Sequence, residues 1–274
     1  MSLNDPSPAR PRPLLGPDDP EPVVVANAGG AARFAIVCDH GGSAIPAALH
    51  GLGLDKAVLA RHIAWDIGAM DVARRLAEIL DAPAVLGQYS RLVIDLNRPL
   101  DDLTSVREIS DGVVVAGNRY LTDSDIAARV DEIFVPYHDA VAKTLADRPE
   151  AVPPLVSIHS FTPVMKGFER PWHIGVLYNA DDRIGVPLIA ALSGQDGIVV
   201  GDNLPYSGFD LFGNTIETHA MPQGRANILL EIRQDLIDTH RGAARWAEIV
   251  AAALRPVLAD ESLYRPFRAA EARE

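Results

Sequence analysis

The sequence predicts an α/β fold: a single domain with a mostly parallel or mixed central sheet covered by helices. Three observations predict it. Short apolar runs alternate with longer helical patterns, as in chains built from strand–helix–strand units. No internal repeat and no linker divides the 274 residues. Hydrophobic residues make up 48% of the chain, which is enough to fill a core of that size.

The elements are predicted from hydrophobic periodicity. Short apolar runs, many of them β-branched, predict strands at 33–39, 84–87, 92–96, 155–159, 173–178, 197–200 and 228–232. Helical patterns predict helices at 55–80, 124–145, 183–192 and 234–254. Ser124 suits the N-cap of the second helix, and a group of prolines ends that helical stretch at 149–154.

The two ends of the chain differ in composition from the middle. Residues 1–22 are rich in Pro, Asp and Ser and predict a flexible N-terminal arm. Residues 265–274 are charged and predict a C-terminal tail, which leaves 23–264 as the single α/β domain.

Charge and cysteine content exclude several classes of protein. The net charge of −12 disfavours a nucleic-acid partner. The single cysteine, Cys38, excludes an intramolecular disulfide and fits a reducing compartment. No run approaches the ~20 apolar residues of a membrane span, and the N-terminus lacks the apolar core of a secretory signal. We therefore expect a cytoplasmic protein with no membrane partner, whose surface helices would allow a homodimer.

Polar residues stand at the ends of several predicted strands. They are Asp39-His40, Asn97-Arg98, His159-Ser160 and Glu231. In open α/β sheets, ligands bind outside the carboxyl ends of the strands. The sequence therefore predicts a site at that edge.

Two histidines at strand ends, His40 and His159, predict a metal site, because zinc favours a mixture of His and carboxylate ligands. Asp66 is the predicted third ligand, since helical spacing in 55–80 places it on the inward face. Asp39 and Ser43 are weaker choices, and His62 could orient Asp66. Hydrogen-bonded turn histidines and a capping Asp66 remain the structural alternatives.

The segment from Ser90 to Pro99 combines an apolar run with four polar residues, Arg91, Asp95, Asn97 and Arg98. Guanidinium groups bind carboxylates bidentately, so this pattern predicts an anion site whose geometry Asp95 and Asn97 hold. A purely structural Arg–Asp pair is the alternative.

Three further residues carry possible chemistry. Glu231 is the one acid in an apolar run, where a raised pKa would suit it to proton transfer; a salt bridge to Arg233 or another arginine is its alternative. His219 stands on a predicted loop and could line the site. Cys38 lies two residues from His40, so a Cys–His nucleophile also has to be considered.

The order of these residues resembles the N-formylglutamate amidohydrolase family and, more distantly, the aspartoacylase and succinylglutamate desuccinylase enzymes of the zinc-carboxypeptidase-like fold. The segments that carry the resemblance are Asp39–Pro46, Ser90–Pro99, Ile158–Phe161 and Leu230–Leu236. The resemblance implies a zinc-exopeptidase-like, hydrolase-type catalytic domain. It also implies one Zn²⁺ per chain and a small acidic N-acyl amino acid, such as N-formylglutamate, as substrate.

The resemblance also implies roles for individual residues. His40 and His159 match the metal-binding histidines, and Glu231 matches the acid that activates water. Arg91 matches an arginine that polarises the scissile carbonyl, and Asn97 with Arg98 matches the pair that holds the substrate carboxylate. One departure is Ser43, because the zinc-carboxypeptidase pattern has a glutamate there; Asp66 is therefore expected to supply the third ligand.

Two rival functions follow from the same residues. One is a non-catalytic carboxylate-binding protein on the same fold, with no metal. The other is a metal-independent amidase that uses Cys38 as its nucleophile.

Overall fold

The computed structural model describes residues 13–209 and 213–268. Residues 1–12 of the predicted arm and 269–274 of the predicted tail lie outside the described residues. The part of the arm that is described lies against the domain: the backbone amides of Leu14 and Leu15 each donate a 2.8 Å hydrogen bond to the carboxylate of Glu132.

Seven strands form the central sheet, in the order β1-β3-β2-β6-β11-β9-β10. They are β1 (Val23–Ala26), β2 (Ala35–Cys38), β3 (Ala84–Gly87), β6 (Leu155–Phe161), β9 (Ile174–Leu177), β10 (Val200–Asp202) and β11 (Asn227–Arg233). The pairs β1–β3 and β9–β11 are antiparallel and the other four are parallel. Two small hairpins lie outside this sheet: β4 (Ile109–Ser110) with β5 (Val113–Val114), and β7 (Val164–Met165) with β8 (Phe168–Glu169).

Helices cover both faces of the sheet. The helices are α1 (Lys56–Leu59), α2 (Ala69–Leu80), α3 (Asp123–Arg129), α4 (Val135–Ala146), α5 (Gly185–Ser193), α6 (Asn214–His219) and α7 (His240–Val257). α2, α5 and α7 pack on one face and α4 on the other. Central strands buried on both faces explain why their sequences read as continuous apolar runs. The predicted α/β domain with a mostly parallel sheet is confirmed.

No helix within the described ranges is both long and apolar enough to pass through a lipid bilayer.

The predicted strand at 92–96 is wrong. These residues are buried but form no strand: the Val93 amide donates to the Ser90 carbonyl in a turn, and the Asp95 amide donates to the carbonyl of the more distant Ser105. The apolar pattern predicted the burial of this segment correctly. It could not predict the conformation, because a buried loop and a buried strand can have the same apolar pattern.

The predicted helix at 55–80 is broken. Only α1 and α2 are helical, and Asp66 lies between them in a loop, where its amide bonds the His40 carbonyl. α2 begins after Gly68, whose φ of 78° lies in the left-handed region and interrupts the helical backbone. Asp66 is thus directed inward by a loop and not by helical spacing.

Other predicted boundaries shift. The N-cap of α3 is Thr122 and not Ser124, since Thr122 and Asp125 form a reciprocal capping box. A π-helical turn at Val130–Phe134 then joins α3 to α4. The last helix begins at His240 instead of 234, because Gln234–Leu236 forms a short 3₁₀ turn. β1 was not predicted, and β10 begins at Val200, where the predicted strand ended.

Candidate active site

The site lies where three neighbouring strands, β2, β6 and β11, end. His40 follows β2 by two residues, and His159 and Glu231 are direct neighbours in the register of β6 and β11. Leu155 and Leu229, which share their side of the strands, pack in the core on the α4 face. Because these strands are parallel neighbours, residues from distant parts of the chain lie together on one face of the sheet, near the carboxyl ends of the strands.

The side chains of His40, Asp66 and His159 form a compact buried group. One ligand atom of each lies within 4.8 Å of the others. Nδ1 of His159 is 2.9 Å from Asp66 Oδ2, and Nδ1 of His40 is 3.7 Å from the same oxygen. Both histidines thus direct Nδ1 toward the carboxylate of Asp66. One metal ion bound by all three residues would require this arrangement.

Two further carboxylates hold the outer ring nitrogens. Asp95 Oδ1 lies 2.6 Å from His40 Nε2, and Asp39 Oδ2 lies 3.1 Å from His159 Nε2. Metal-binding histidines usually have such a partner on the second nitrogen, which sets the tautomer and the ring orientation. Asp39 is itself held by hydrogen bonds from the hydroxyls of Tyr137 and Thr215.

The surroundings of Asp66 favour its ionised form. Burial alone would favour the neutral acid, but the hydrogen bond with His159 and the nearby His40 and His62 rings hold its pKa well below the usual range. Burial also opposes the charge of His159, yet the hydrogen bonds to Asp39 and Asp66 raise the pKa of this imidazole well above 6.5. Both ring nitrogens of His159 thus face a carboxylate, and a cation bound at Nδ1 would take the place of a proton there.

The donor set fits a divalent metal ion. Nδ1 of His40 is buried and has no hydrogen-bond partner among the described residues, although it faces Asp66. An unsatisfied buried nitrogen is costly, and a metal ligated by this atom would remove that cost. Two imidazoles and a carboxylate are a common set for catalytic zinc.

Arg91 lies beside this group. Its guanidinium is 3.3 Å from Asp66 Oδ1 and 3.2 Å from Asp95 Oδ2, and Arg107 is 3.5 Å from the same Asp95 oxygen. Arg91 therefore pairs with two aspartates of the site, and its contact with a substrate stays a prediction. His62 Nε2, at 3.9 Å from Asp66 Oδ1, also faces this carboxylate.

Glu231 is buried, and its Oε2 has no hydrogen-bond partner in the described part of the chain. Burial raises its pKa to about 8, although the charge of His159 acts in the opposite direction. Among the described residues Glu231 forms no salt bridge within 4.0 Å to Arg233 or another arginine, and Arg233 pairs with Asp235 at 2.8 Å. A carboxyl that titrates near neutral pH beside the histidine group can accept and return a proton.

The three residues predicted to bind substrate have other partners in this structure. Asn97 Oδ1 accepts a 3.0 Å hydrogen bond from the amide of Thr215 at the start of α6. Arg98 faces Asp102 at 3.6 Å. His219 lies 2.9 Å from His138 Nδ1, and the two rings stack.

Cys38 and Ser43 do not join the site. Cys38 is fully buried in the core on the α2 face, opposite to His159, and burial raises the pKa of its thiol. This argues against a Cys38 nucleophile, which would need an accessible thiolate. Ser43 is exposed, and Asp66 lies with the two histidines instead.

Sequence reasoning missed three contributors: Tyr137, Thr215 and Arg107. Tyr137 comes from α4 and Thr215 from α6, and both bond Asp39 across 98 and 176 residues of sequence. No local pattern carries such a signal. Asp39 and Asp95 could have been given greater weight, since both are acids next to predicted site residues.

Comparisons with known proteins show the family of this chain and proteins of similar fold. A family model described as N-formylglutamate amidohydrolase matches residues 32–238. The chain is similar to the crystal structure of the gene product Atu2144 from Agrobacterium tumefaciens, with 35% identity and a TM-score of 0.85 over 89% of this chain and 98% of that one. It is also similar in fold to N-formylglutamate amidohydrolase from Ralstonia eutropha JMP134, with 17% identity and a TM-score of 0.64 over 86% and 97% of the two chains. The comparison with curated proteins finds no match.

Proposed function

This chain belongs to the N-formylglutamate amidohydrolase family and is a hydrolase of amide bonds, and we propose that it uses a divalent metal ion to remove an N-acyl group from an acidic amino acid. N-formylglutamate is the proposed substrate. The observation that carries the proposal is the buried group of His40, Asp66 and His159, with its unpartnered His40 nitrogen.

The three residues of this group would hold the ion, and we propose Zn²⁺, one per chain. Zinc at such a site polarises a carbonyl and lowers the pKa of a nearby water molecule. Asp95 and Asp39 orient the two imidazoles through their Nε2 atoms, which leaves both Nδ1 atoms directed at Asp66.

Glu231 is the proposed general base and acid. Its carboxyl lies next to His159 in the strand register, and the pKa that burial raises makes its carboxylate form a stronger acceptor for a proton of the attacking water. It would then return this proton to the amine as the amide bond breaks. Without that proton the leaving group would have to depart as an amide anion.

Arg91 is proposed to stabilise the negative charge that develops on the carbonyl oxygen. Such a donor typically lowers the activation barrier by about 3–4 kcal/mol. Carboxylate binding by Asn97 and Arg98, with His219 at the edge of the site, stays a prediction. A cytoplasmic location and a homodimer also stay predictions from the sequence.

The test is metal content by elemental analysis, together with hydrolysis of N-formylglutamate, on wild-type protein and His159→Ala. We expect about one zinc per wild-type chain and loss of both metal and activity in the variant. His240→Ala is the matched control, because this histidine has a 92% exposed side chain paired with Asp71. It should retain both.

Protein that carries no metal and stays inactive after zinc is supplied would contradict the proposal. In that case the non-catalytic carboxylate-binding alternative would explain the site better.

A further inference from the structure

Arg170 is a buried arginine that the mechanism above does not use. It follows β8, and 6% of its surface is exposed. Its Nη1 lies 3.3 Å from the Thr162 carbonyl, 3.4 Å from the Thr162 hydroxyl and 3.3 Å from the Tyr206 hydroxyl. Its Nη2 contacts the sulfur of Met165. All of these partners are neutral.

No carboxylate of residues 13–209 or 213–268 lies within 4.0 Å of the Arg170 guanidinium. Two other arginines near carboxylates do pair with them: Arg183 with Asp181 at 2.7 Å, and Arg91 with two aspartates. The buried Arg129 of α3 also has no carboxylate within 4.0 Å among the described residues, so the position of Arg170 has to separate it from a purely structural arginine. A buried cation without an anion is expensive, because its hydration is lost and no opposite charge replaces it. Such a group is poised to receive an anion.

The position of Arg170 relates it to the catalytic group. Its guanidinium lies over the ring of Phe161, with 5.6 Å from Cζ to the ring centroid. Phe161 is two residues beyond His159 in β6, so both side chains leave the same face of the sheet, roughly 6–7 Å apart along the strand. Glu231 leaves that face beside His159. Arg170 is close enough to lower the pKa of both Glu231 and His62.

The backbone around Arg170 is also held in place. Its amide donates to the Pro163 carbonyl at 2.8 Å, and its carbonyl accepts from Arg233 Nη1 at 3.3 Å. Arg233 is in turn fixed by Asp235. A guanidinium on a fixed backbone can select a ligand by geometry as well as by charge.

We propose that Arg170 binds a carboxylate of the substrate and so makes the enzyme select acidic N-acyl amino acids. This inference rests on the proposed function, because it assigns the substrate-binding contact of the same site. A carboxylate that is a few bonds from the scissile amide would reach from the histidine group to the guanidinium. Specificity follows, since a neutral analogue would leave the buried charge unpaired.

The test compares three substrates in wild-type protein and Arg170→Gln. They are N-formylglutamate, N-formylglutamine and the α-amide of N-formylglutamate, so that each carboxylate is neutralised in turn. With N-formylglutamate we expect kcat/KM to fall about 10- to 100-fold, mainly through KM. With the analogue that lacks the carboxylate bound by Arg170, the substitution should cause no further loss. The kcat/KM of Arg170→Lys for N-formylglutamate should lie between those of the wild type and Arg170→Gln.

Arg148→Gln is the matched control. Arg148 is also held by neutral acceptors, the carbonyls of Gly30 and Ala32, but these precede β2 at the opposite edge of the sheet. This variant should leave all three kcat/KM values unchanged. Arg98→Gln, run through the same cycle, tests the carboxylate contact predicted for that residue.

An equal loss of kcat/KM on all three substrates would overturn the proposal, because Arg170 would then support the fold and not a carboxylate. Sensitivity to Arg98→Gln with indifference to Arg170→Gln would also overturn it. If wild-type protein hydrolyses none of the three, the proposed function fails, and calorimetric binding of N-formylglutamate decides the inference separately. Equal affinity of wild type and Arg170→Gln would then contradict it, and weaker binding by the variant would support it.

Discussion

Nε2 of His40 lies 2.6 Å from Oδ1 of Asp95, and this contact leaves Nδ1 of the same ring facing Asp66. Asp95 is fully buried, and its second oxygen pairs with Arg91. Burial opposes its ionisation, but the charges of His40 and Arg91 hold the pKa of Asp95 below the usual range. One ionised carboxylate thus links an imidazole of the metal group to the arginine beside it.

We predict that Asp95→Asn lowers metal affinity about 10- to 100-fold, because the neutral amide holds the His40 ring more weakly. Chelator competition measures this affinity, and thermal unfolding checks that the variant folds. Asp147→Asn, an exposed partner of Lys143, is the control. Unchanged metal affinity in folded Asp95→Asn would show that Asp95 does not orient His40.

Glu231→Gln should lower kcat about 100- to 10,000-fold while the metal content stays at the wild-type level. Glutamine keeps the shape of the side chain but cannot accept the proton. Steady-state kinetics and elemental analysis on the same preparation separate these two effects. The exposed Glu248→Gln provides the control. A Glu231→Gln protein with near wild-type kcat would remove Glu231 from the mechanism.

His219 should make the protein less stable in acid. Burial lowers its pKa from 6.5 to about 4, so between these values the unfolded chain binds more protons than the folded one. Its contribution to stability is therefore complete above pH 6.5 and is lost as the pH falls to 4. His219→Gln should reduce this loss by about 1–3 kcal/mol, measured by urea unfolding at several pH values. A pH profile of His219→Gln identical to that of the wild type would contradict this assignment.

Gly42→Ala should destabilise the protein by about 1–3 kcal/mol or more, because an added Cβ would overlap the backbone carbonyl of Gln88. His40 is two residues away, so metal affinity should also fall. Gly29→Ala has open space around its new methyl group and serves as the control. Urea unfolding and metal titration measure both effects, and a stable Gly42→Ala would show that the turn can move away from Gln88.

Cys38→Ala should keep its kcat/KM and lose about 1 kcal/mol of stability. The thiol fills space in the core against α2, where Gly41 and Met70 lie next to it. Hydrolysis assays with urea unfolding distinguish this role from a nucleophilic one. An inactive but folded Cys38→Ala would restore the cysteine-dependent amidase as an explanation.

Asp66 shows how much of the site could be predicted from the sequence. The prediction placed it with His40 and His159, and the structure groups these three residues. The predicted helical spacing is wrong, however, since no helix passes through Asp66. Side chains of an irregular buried loop can alternate between the core and solvent in the same way as those of an amphipathic helix. The pattern therefore predicted the burial of Asp66 but not the conformation of its backbone.

The segment 92–96 shows the same limit. Its apolar residues are buried as predicted, yet its backbone amides donate to Ser90 and Ser105 instead of to a neighbouring strand. Strand formation requires a partner at the right distance, and the local sequence does not specify whether one is available.

The sequence by itself determined the α/β class, the strands β2, β6 and β11, and the residue types that gather where they end. These depend on local periodicity and on the rule that parallel strands deliver their ends to one edge. Only the tertiary structure decided which carboxylate faces which histidine nitrogen, that Tyr137 and Thr215 hold Asp39, and that Arg170 lies over Phe161. Such contacts join residues far apart in the chain, and their geometry is set by packing of the whole domain and not by neighbours in sequence.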